Sequence, residues 1–155
     1  MASAPCSGPE PVASEQGVWV VYADGASRGN PGPAAIGAVI FDEQGRERHR
    51  ISQAIGSTTN NQAEYRAAIA GLEAALALGA RRVELRMDSE LVVRQTDARY
   101  KVRNPGLKPL AARIRDLRWQ LDSLRAVSIP RRENALADAL ANQALDLAGR
   151  AQGSF

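Results

Sequence analysis

From Val18 the chain reads VWVVYADG, a short apolar run rich in β-branched and aromatic residues that ends at Asp-Gly. AAIGAVIFD followed by EQGR repeats the pattern of strand then turn, and RERHRISQAI reads as a weaker third strand. The period then changes. In NNQAEYRAAIAGLEAALALGARR, residues Ala63, Ala67, Ala70, Ala74 and Leu78 recur at helical spacing and Gly79 stands at the stop, which predicts a helix. RRVELRMDS alternates Val83, Leu85 and Met87 with Arg82, Glu84 and Arg86, so a fourth strand ends at Asp88 and a helix follows over Ser89 to Ala98. Asn104, Pro105 and Gly106 break the chain. Beyond them LKPLAARIRDLRWQLDS is helical, with Trp119 expected in its core-facing set beside Leu117 and Leu121; LRAVSIP is a short strand and ENALADALANQALDLAG a last helix.

The predicted order is βββ, α, β, αα, β, α, without an internal repeat. Strands joined by short turns must be antiparallel, whereas strands separated by helices require right-handed parallel crossovers. The expectation is an α/β fold: a mixed sheet with helices on its faces.

A length of 155 residues with 45% apolar and 24% charged composition suits one compact domain. Residues 1–16, rich in Pro, Ser, Ala and Glu without periodicity, read as a disordered leader. The domain is expected over 17–150, with 151–155 as a flexible tail. The single cysteine, Cys6, excludes a disulfide scaffold. No apolar run reaches the roughly 18 residues that cross a bilayer, and the N-terminus lacks the pattern of a secretory signal, so a cytoplasmic protein without membrane contact is expected.

Charge changes the picture only when it is divided along the chain. Residues 81–132 hold 14 Arg or Lys and 6 Asp or Glu, a net +8, and the remainder carries −5. One part of the molecule therefore suits a polyanionic partner and the other suits cations.

Four acids fall at instructive positions: Asp24 closing the first strand, Glu64 near the start of the first helix, Asp88 closing the fourth strand, and Asp138 inside the Ala/Leu-rich last helix. If the first and fourth strands are parallel neighbours, Asp24 and Asp88 end side by side and the helices can deliver the other two. Such a cluster repels itself, and divalent cations relieve the repulsion; hard oxygen donors without His or Cys favour Mg²⁺ or Mn²⁺. Each acid also has a purely structural alternative. Asp24 could be a turn residue, Glu64 could form a capping box with Asn61, and Asp88 could cap the next helix. Asp138 is harder to explain this way, because Asp is a poor helix-interior residue.

YADGASRGNPGPAAIGAVI, TTNNQAEYRAAIAGLEAAL, LRMDSELVV and ENALADALAN, in this order and spacing, resemble the type 1 ribonuclease H family. The resemblance runs from about Val18 to Ala148 and rests on four separate motifs. It implies a five-stranded mixed sheet flanked by helices, and endonucleolytic cleavage of the RNA strand of an RNA/DNA hybrid by a two-metal-ion mechanism, leaving 5′-phosphate and 3′-hydroxyl ends. By the same resemblance Asp24 would bridge two Mg²⁺ or Mn²⁺ ions bound with the substrate. Asp138 would complete the side that activates water, and Glu64 with Asp88 would hold the ion facing the leaving oxygen. Hybrid contacts would come from the backbone of Gly25, Ala26 and Ser27 and from Asn30, Thr59, Asn60, Asn61, Gln62 and Asn134. Amides and exposed peptide groups suit the reading of 2′-hydroxyls and minor-groove edges.

The chain also departs from the pattern of many bacterial relatives. ARYKVRNPGLKPL is too short for their Lys-rich protrusion, which points to the branch without it; the basic grip is then expected from Arg99, Lys101, Arg103 and Lys108. The loop before the last helix carries Arg131 and Arg132 where relatives have a histidine, and Arg131 is the expected catalytic substitute, binding phosphate. His49, the one histidine, falls in the third strand away from the acids. A monomer is expected. Two other functions fit the same sequence: a different nuclease built on this fold, and a nucleic-acid-binding module without catalysis, although a pure binder gains nothing from four acids facing phosphates.

Overall fold

The computed structural model describes residues 17–96 and 102–153. Five strands and four α-helices succeed one another: β1 (Val18–Ser27), β2 (Gly32–Phe41), β3 (Glu47–Thr58), α1 (Asn60–Ala77), β4 (Arg82–Met87), α2 (Glu90–Thr96), α3 (Lys108–Gln120), β5 (Ser123–Ser128) and α4 (Ala135–Gly153), the last preceded by a 3₁₀ turn at Arg131–Asn134. One sheet has the order β3-β2-β1-β4-β5. β1, β2 and β3 are antiparallel and β4 and β5 run parallel to β1, so the mixed topology expected from the connection lengths is present.

Alternation along the strands assigns the two faces. Trp19, Val21 and Ala23 of β1, Ile36, Ala38 and Ile40 of β2 and Val83, Leu85 and Met87 of β4 join one buried cluster with Tyr65, Ala68 and Leu72 of α1 and Ile114 and Leu117 of α3. α1 lies close on this face at Gly71, where a Cβ would collide with Val21. α4 covers part of the other face, packing on β2 and β3, and Ser52 Oγ donates to the Leu140 carbonyl at 2.6 Å.

Several expectations are corrected. Asp24-Gly25 is not a turn: β1 continues to Ser27, and Asp24 pairs with Gly37 inside the sheet. β3 is longer than RERHRISQAI and runs to Thr58. α1 is capped by Thr59, whose Oγ1 accepts from Gln62 N at 3.2 Å, so Glu64 stands beyond the first turn and forms no capping box with Asn61. Asp138 is not a helix-interior acid but lies in the first turn of α4, where the helix dipole favours a carboxylate. Trp119 does not pack in the core. It is 86% exposed, because the inward face of α3 is already filled by Ala111, Ile114 and Leu117. α2 is described as far as Thr96; Asp97 and Ala98 of its expected span lie outside the described residues. So do the expected leader 1–16 and residues 154–155, while α4 extends through 151–153. Among the described residues no helix is long and apolar enough to cross a membrane.

Candidate active site

Two glycines allow the helices to bring acids to the sheet from opposite faces. Gly25 sits on the α1 side of β1, where a Cβ would collide with the backbone of Ala63 and Glu64. Gly37, the β2 partner of Asp24, sits on the α4 side, where a Cβ would collide with the Ala137 carbonyl and the Ala141 N–H. α1 therefore delivers Glu64, and α4 delivers Asp138, to the stretch of β1 that carries Asp24. Asp88 arrives just past the end of β4, the parallel neighbour of β1. All four acids line one cleft of about 500 Å³, together with Gly25, Ala26, Ser27 and Asn60.

The electrostatics follow from this crowding. Burial, a hydrogen bond with Asp138, and the charges of Asp88, Asp138 and Glu64 push the Asp24 carboxyl up to about 8. Burial also raises Glu64; hydrogen bonds from Ser89 and Asn60 oppose the rise, the latter from Asn60 Nδ2 to Glu64 Oε1 at 2.7 Å. Asp88 does not cap α2. Its Oδ1 accepts from Asn134 Nδ2 at 2.9 Å, and Ser89 Oγ accepts the Val92 N–H instead, at 3.4 Å.

The donor set is oxygen only and carries several negative charges in a partly buried cleft, which fits a hard divalent cation such as Mg²⁺ or Mn²⁺ and not Zn²⁺. The acids line the cleft without closing into a cage: among the described residues no group of three or more His, Cys, Asp or Glu is gathered to hold a metal ion.

Other expected site residues are placed as follows. Arg131 lines the cleft, 81% exposed on its side chain, with Nη2 4.0 Å from Asp138 Oδ1; Arg132 is exposed but does not line the cleft. Asn30 and Asn60 are tied together, Asn60 N donating to Asn30 Oδ1 at 3.1 Å. Asn61 is exposed on α1. Gln62 Nε2 donates to the Gly106 carbonyl at 3.3 Å, joining the start of α1 to the loop before α3; Arg103 in that loop and Lys108 at the start of α3 are exposed. Arg99 and Lys101 lie outside the described residues. His49 is exposed on the edge strand β3, opposite Ile40 and outside the cleft.

Asn134 is corrected. It cannot meet a substrate, being 1% exposed; its Nδ2 donates to the Ala23 carbonyl and to Asp88 Oδ1, both at 2.9 Å, so it joins β1 to the acid after β4. Sequence reasoning missed Ser89 and Asn142. Asn142 Nδ2 donates to Asp138 Oδ1 at 3.2 Å and to the Asp138 carbonyl at 2.9 Å. Its position four residues after Asp138 on one helix face was the available signal.

A family model described as reverse transcriptase-like matches residues 22–144. The bifunctional protein Rv2228c of Mycobacterium tuberculosis is 46% identical over 132 residues, which are 84% of this chain and 36% of that protein. The solved N-terminal RNase H domain of the same protein superposes with a TM-score of 0.80 at 45% identity, covering 83% of this chain and 98% of that one. Ribonuclease HI of Halobacterium salinarum is 47% identical over 125 residues, 81% of this chain and 63% of the relative. LC11-RNase H1, solved in complex with an RNA/DNA hybrid, gives a TM-score of 0.79 at 48% identity, covering 84% and 98% of the two chains. The chain thus spans about a third of the length of the mycobacterial relatives and nearly all of the solved ribonuclease H domains. On the extent of the family match, the identity to these relatives and the shared sheet topology, the chain belongs to the ribonuclease H-like family of enzymes.

Proposed function

We propose that residues 17–150 form an endonuclease that hydrolyses the RNA strand of RNA/DNA hybrids with two divalent metal ions, Mg²⁺ or Mn²⁺, leaving 5′-phosphate and 3′-hydroxyl ends. The observation that carries this reading is the convergence of Asp24, Glu64, Asp88 and Asp138 on one open cleft, with Asp24 buried at its centre. The hybrid bound to a relative at 48% identity supports the substrate.

Asp24, Glu64, Asp88 and Asp138 would hold the two cations, which would supply charge stabilisation for the entering and leaving oxygens of an in-line displacement. Asp24, central among the acids, would serve both ions; Glu64 and Asp88 would serve the side of the departing 3′-oxygen, and Asp138 the side from which water attacks. Water adds to phosphorus and the bond to the 3′-oxygen breaks. The phosphate stays on the downstream strand, and the proton given up by the attacking water is balanced by the one that the departing 3′-oxygen takes up from solvent to become a hydroxyl. Asn134 and Asn142 are positioning residues, fixing Asp88 and Asp138 through the bonds described. Arg131, exposed beside Asp138, would bind the scissile or departing phosphate.

Asn60 and the Gly25–Ser27 backbone border the acids, with Asn30 tied to Asn60, and suit recognition of 2′-hydroxyls. Arg103 and Lys108, with Lys101, would hold the backbone of the duplex. Only residues 97–107 join α2 to α3, which supports the branch of the family without a basic protrusion. The reading places a monomeric enzyme in the cytoplasm.

The test is one gel. End-labelled hybrid, duplex RNA, single-stranded RNA and duplex DNA are each incubated with Mg²⁺, Mn²⁺ or EDTA. Cleavage confined to the RNA strand of the hybrid and abolished by EDTA is expected; efficient cutting of duplex DNA would move the assignment to another nuclease class.

A further inference from the structure

The outward face of α3 carries a line of residues that neither the core nor the carboxylate cleft uses. Lys108, Ala112, Arg115 and Trp119 follow one another at steps of four, three and four, so they share one stripe of the helix, opposite the buried Ile114 and Leu117. The stripe is about 16 Å long at the rise of an α-helix. Lys108 and Arg115 are exposed, and Trp119 is 86% exposed. Its Lys108 end starts near the cleft: Gly106, two residues earlier, accepts from Gln62 Nε2, and Gln62 stands two residues before Glu64 on α1. From this junction the stripe runs along α3 to Trp119.

The cations of α3 divide by what holds them. Arg113 donates to Glu73 Oε2 through Nη2 at 2.7 Å and Nε at 3.1 Å, and Arg118 donates to the carbonyls of Thr96 and Leu124, so these two tie α3 to α1, α2 and β5. Among the described residues no ion pair or side-chain hydrogen bond engages Lys108 or Arg115, the two cations in line with Trp119. Asp116, the one acid of α3, is exposed beside Trp119 and off the line of the cations. Phosphates are therefore favoured between Lys108 and Arg115, and an uncharged flat group at Trp119.

A single exposed tryptophan is common on protein surfaces, and one ring offers too little apolar area for a stable protein interface. One ring is enough for one base. Surfaces that hold single-stranded nucleic acid combine cations along the backbone with an aromatic face for the bases, and this stripe has both in register. The bases of a duplex are already stacked on one another, so an exposed indole selects an unpaired strand.

We propose that the stripe from Lys108 to Trp119 binds single-stranded nucleic acid, with Trp119 stacked on an unpaired base and Arg115 and Lys108 on phosphates, and that it takes the unpaired strand running on from a hybrid held at the cleft. Binding of a single strand stands by itself; its continuity with a hybrid rests on the function proposed above.

The test titrates the full chain, in EDTA and low salt, with a deoxythymidine oligonucleotide of about twelve residues, within the site sizes of such surfaces. Anisotropy of a labelled oligonucleotide gives the affinity. Intrinsic fluorescence with the unlabelled one reports the contact, since Trp19 is buried and Trp119 is not. Binding should quench that fluorescence saturably; Trp119→Ala should weaken it about tenfold, and Trp119→Phe, which keeps a stacking ring, should recover most of the loss. Arg115→Gln should lower the slope of log affinity against log salt by about 0.7, the share of one phosphate contact on a single strand. In a second arm, a blunt RNA/DNA hybrid is compared with the same hybrid carrying a deoxythymidine tail at one end or the other. Wild type should bind one of the tailed forms about tenfold more tightly than the blunt one, because the second contact is intramolecular. Trp119→Ala should bind all three alike, at the wild-type affinity for the blunt form. No quenching, or unchanged oligonucleotide affinity in a correctly folded Trp119→Ala, would overturn the single-strand surface. Quenching by the oligonucleotide with equal affinity of wild type for blunt and tailed hybrids would overturn the continuity with the cleft. A hybrid neither bound nor cut, while the oligonucleotide still quenches Trp119, would overturn the proposed function and leave the single-strand surface standing.

Discussion

Asp24 and Gly37 face each other across the β1–β2 pair, and the missing side chain of Gly37 is what lets the first turn of α4 settle over the acid. Gly25 makes the same allowance for α1 on the opposite face. The cleft is thus assembled by two close helix-to-sheet approaches, each of which carries one acid to Asp24.

Gly37→Ala and Gly25→Ala should accordingly act on the site more than on the fold. Each added methyl meets backbone atoms, which cannot rotate away, so the helix must shift. Overpacking of this kind costs about 1–3 kcal/mol. Urea denaturation should show that loss, and hybrid cleavage should fall by about a hundredfold or more, because small displacements of catalytic groups are costly. Full activity in either variant would show that the helices do not need this approach.

The burial of Asp24 among other acids has a sign that can be measured. Its carboxyl titrates at about 8 in the folded chain, against an ordinary value of 3.8. The folded state therefore gains relative stability while Asp24 is protonated, and loses it as pH rises from about 4 through about 8. In EDTA, wild type should melt progressively lower across this window, and Asp24→Asn should flatten the trend. At about pH 8 the variant should be more stable by a few kcal/mol. Added Mg²⁺ should narrow that gap by stabilising wild type alone. Parallel melting curves across the window, measured by circular dichroism, would contradict this account.

Much of the fold was legible because it depends on local periodicity: the alternation of Val83, Leu85 and Met87, and the helical spacing of Ala63, Ala67, Ala70 and Ala74, mark elements that the structure contains. The four acids were legible as candidates because the elements that carry them were, although Asp24 stands within β1 and not at its end, and Asp138 in the first turn of α4 and not in its interior. What sequence did not reveal depends on long-range approach. Asp-Gly at 24–25 has the form of a turn, and only the packing of α1 makes it a strand interior with an obligatory glycine. Asn134 has the sequence position of a substrate contact, whereas its bonds to the Ala23 carbonyl of β1 and to Asp88 just past β4 make it a brace. Trp119 has helical spacing with Leu117 and Leu121, yet a tryptophan adjacent to the buried stripe has no cavity to enter.

Trp119→Ala should therefore leave stability within about 0.5 kcal/mol of wild type, as for exposed substitutions away from packing. Leu117→Ala, a fully buried neighbour on the same helix, should cost about 2–5 kcal/mol. Chemical denaturation of the pair checks the assignment of the two faces of α3.

Arg131 and His49 separate two accounts of the loop before α4. Arg131→Ala should lower turnover more than tenfold, with little change in melting temperature, because its contact with Asp138 is long and exposed. Arg131→Lys should restore only part of the rate, since an ammonium cannot make the bidentate contact. His49→Ala, on an edge strand outside the cleft, should turn over at the wild-type rate. Single-turnover kinetics on hybrid compare all three.

The central claim is that Asp24, Glu64, Asp88 and Asp138 form one site for cutting RNA in a hybrid. It is tested most directly by following 5′-labelled RNA in an RNA/DNA hybrid with saturating Mg²⁺, using wild type beside Asp24→Asn, Glu64→Gln and Asp88→Asn of verified fold. Wild type should produce internal cuts with 3′-hydroxyl ends, and each of the three variants should be slower by about a hundredfold or more, since the amides keep shape but remove the charge that holds the ions. Cleavage within a few-fold of wild type in any of the three, or loss of cutting with no dependence on Mg²⁺, would contradict the account.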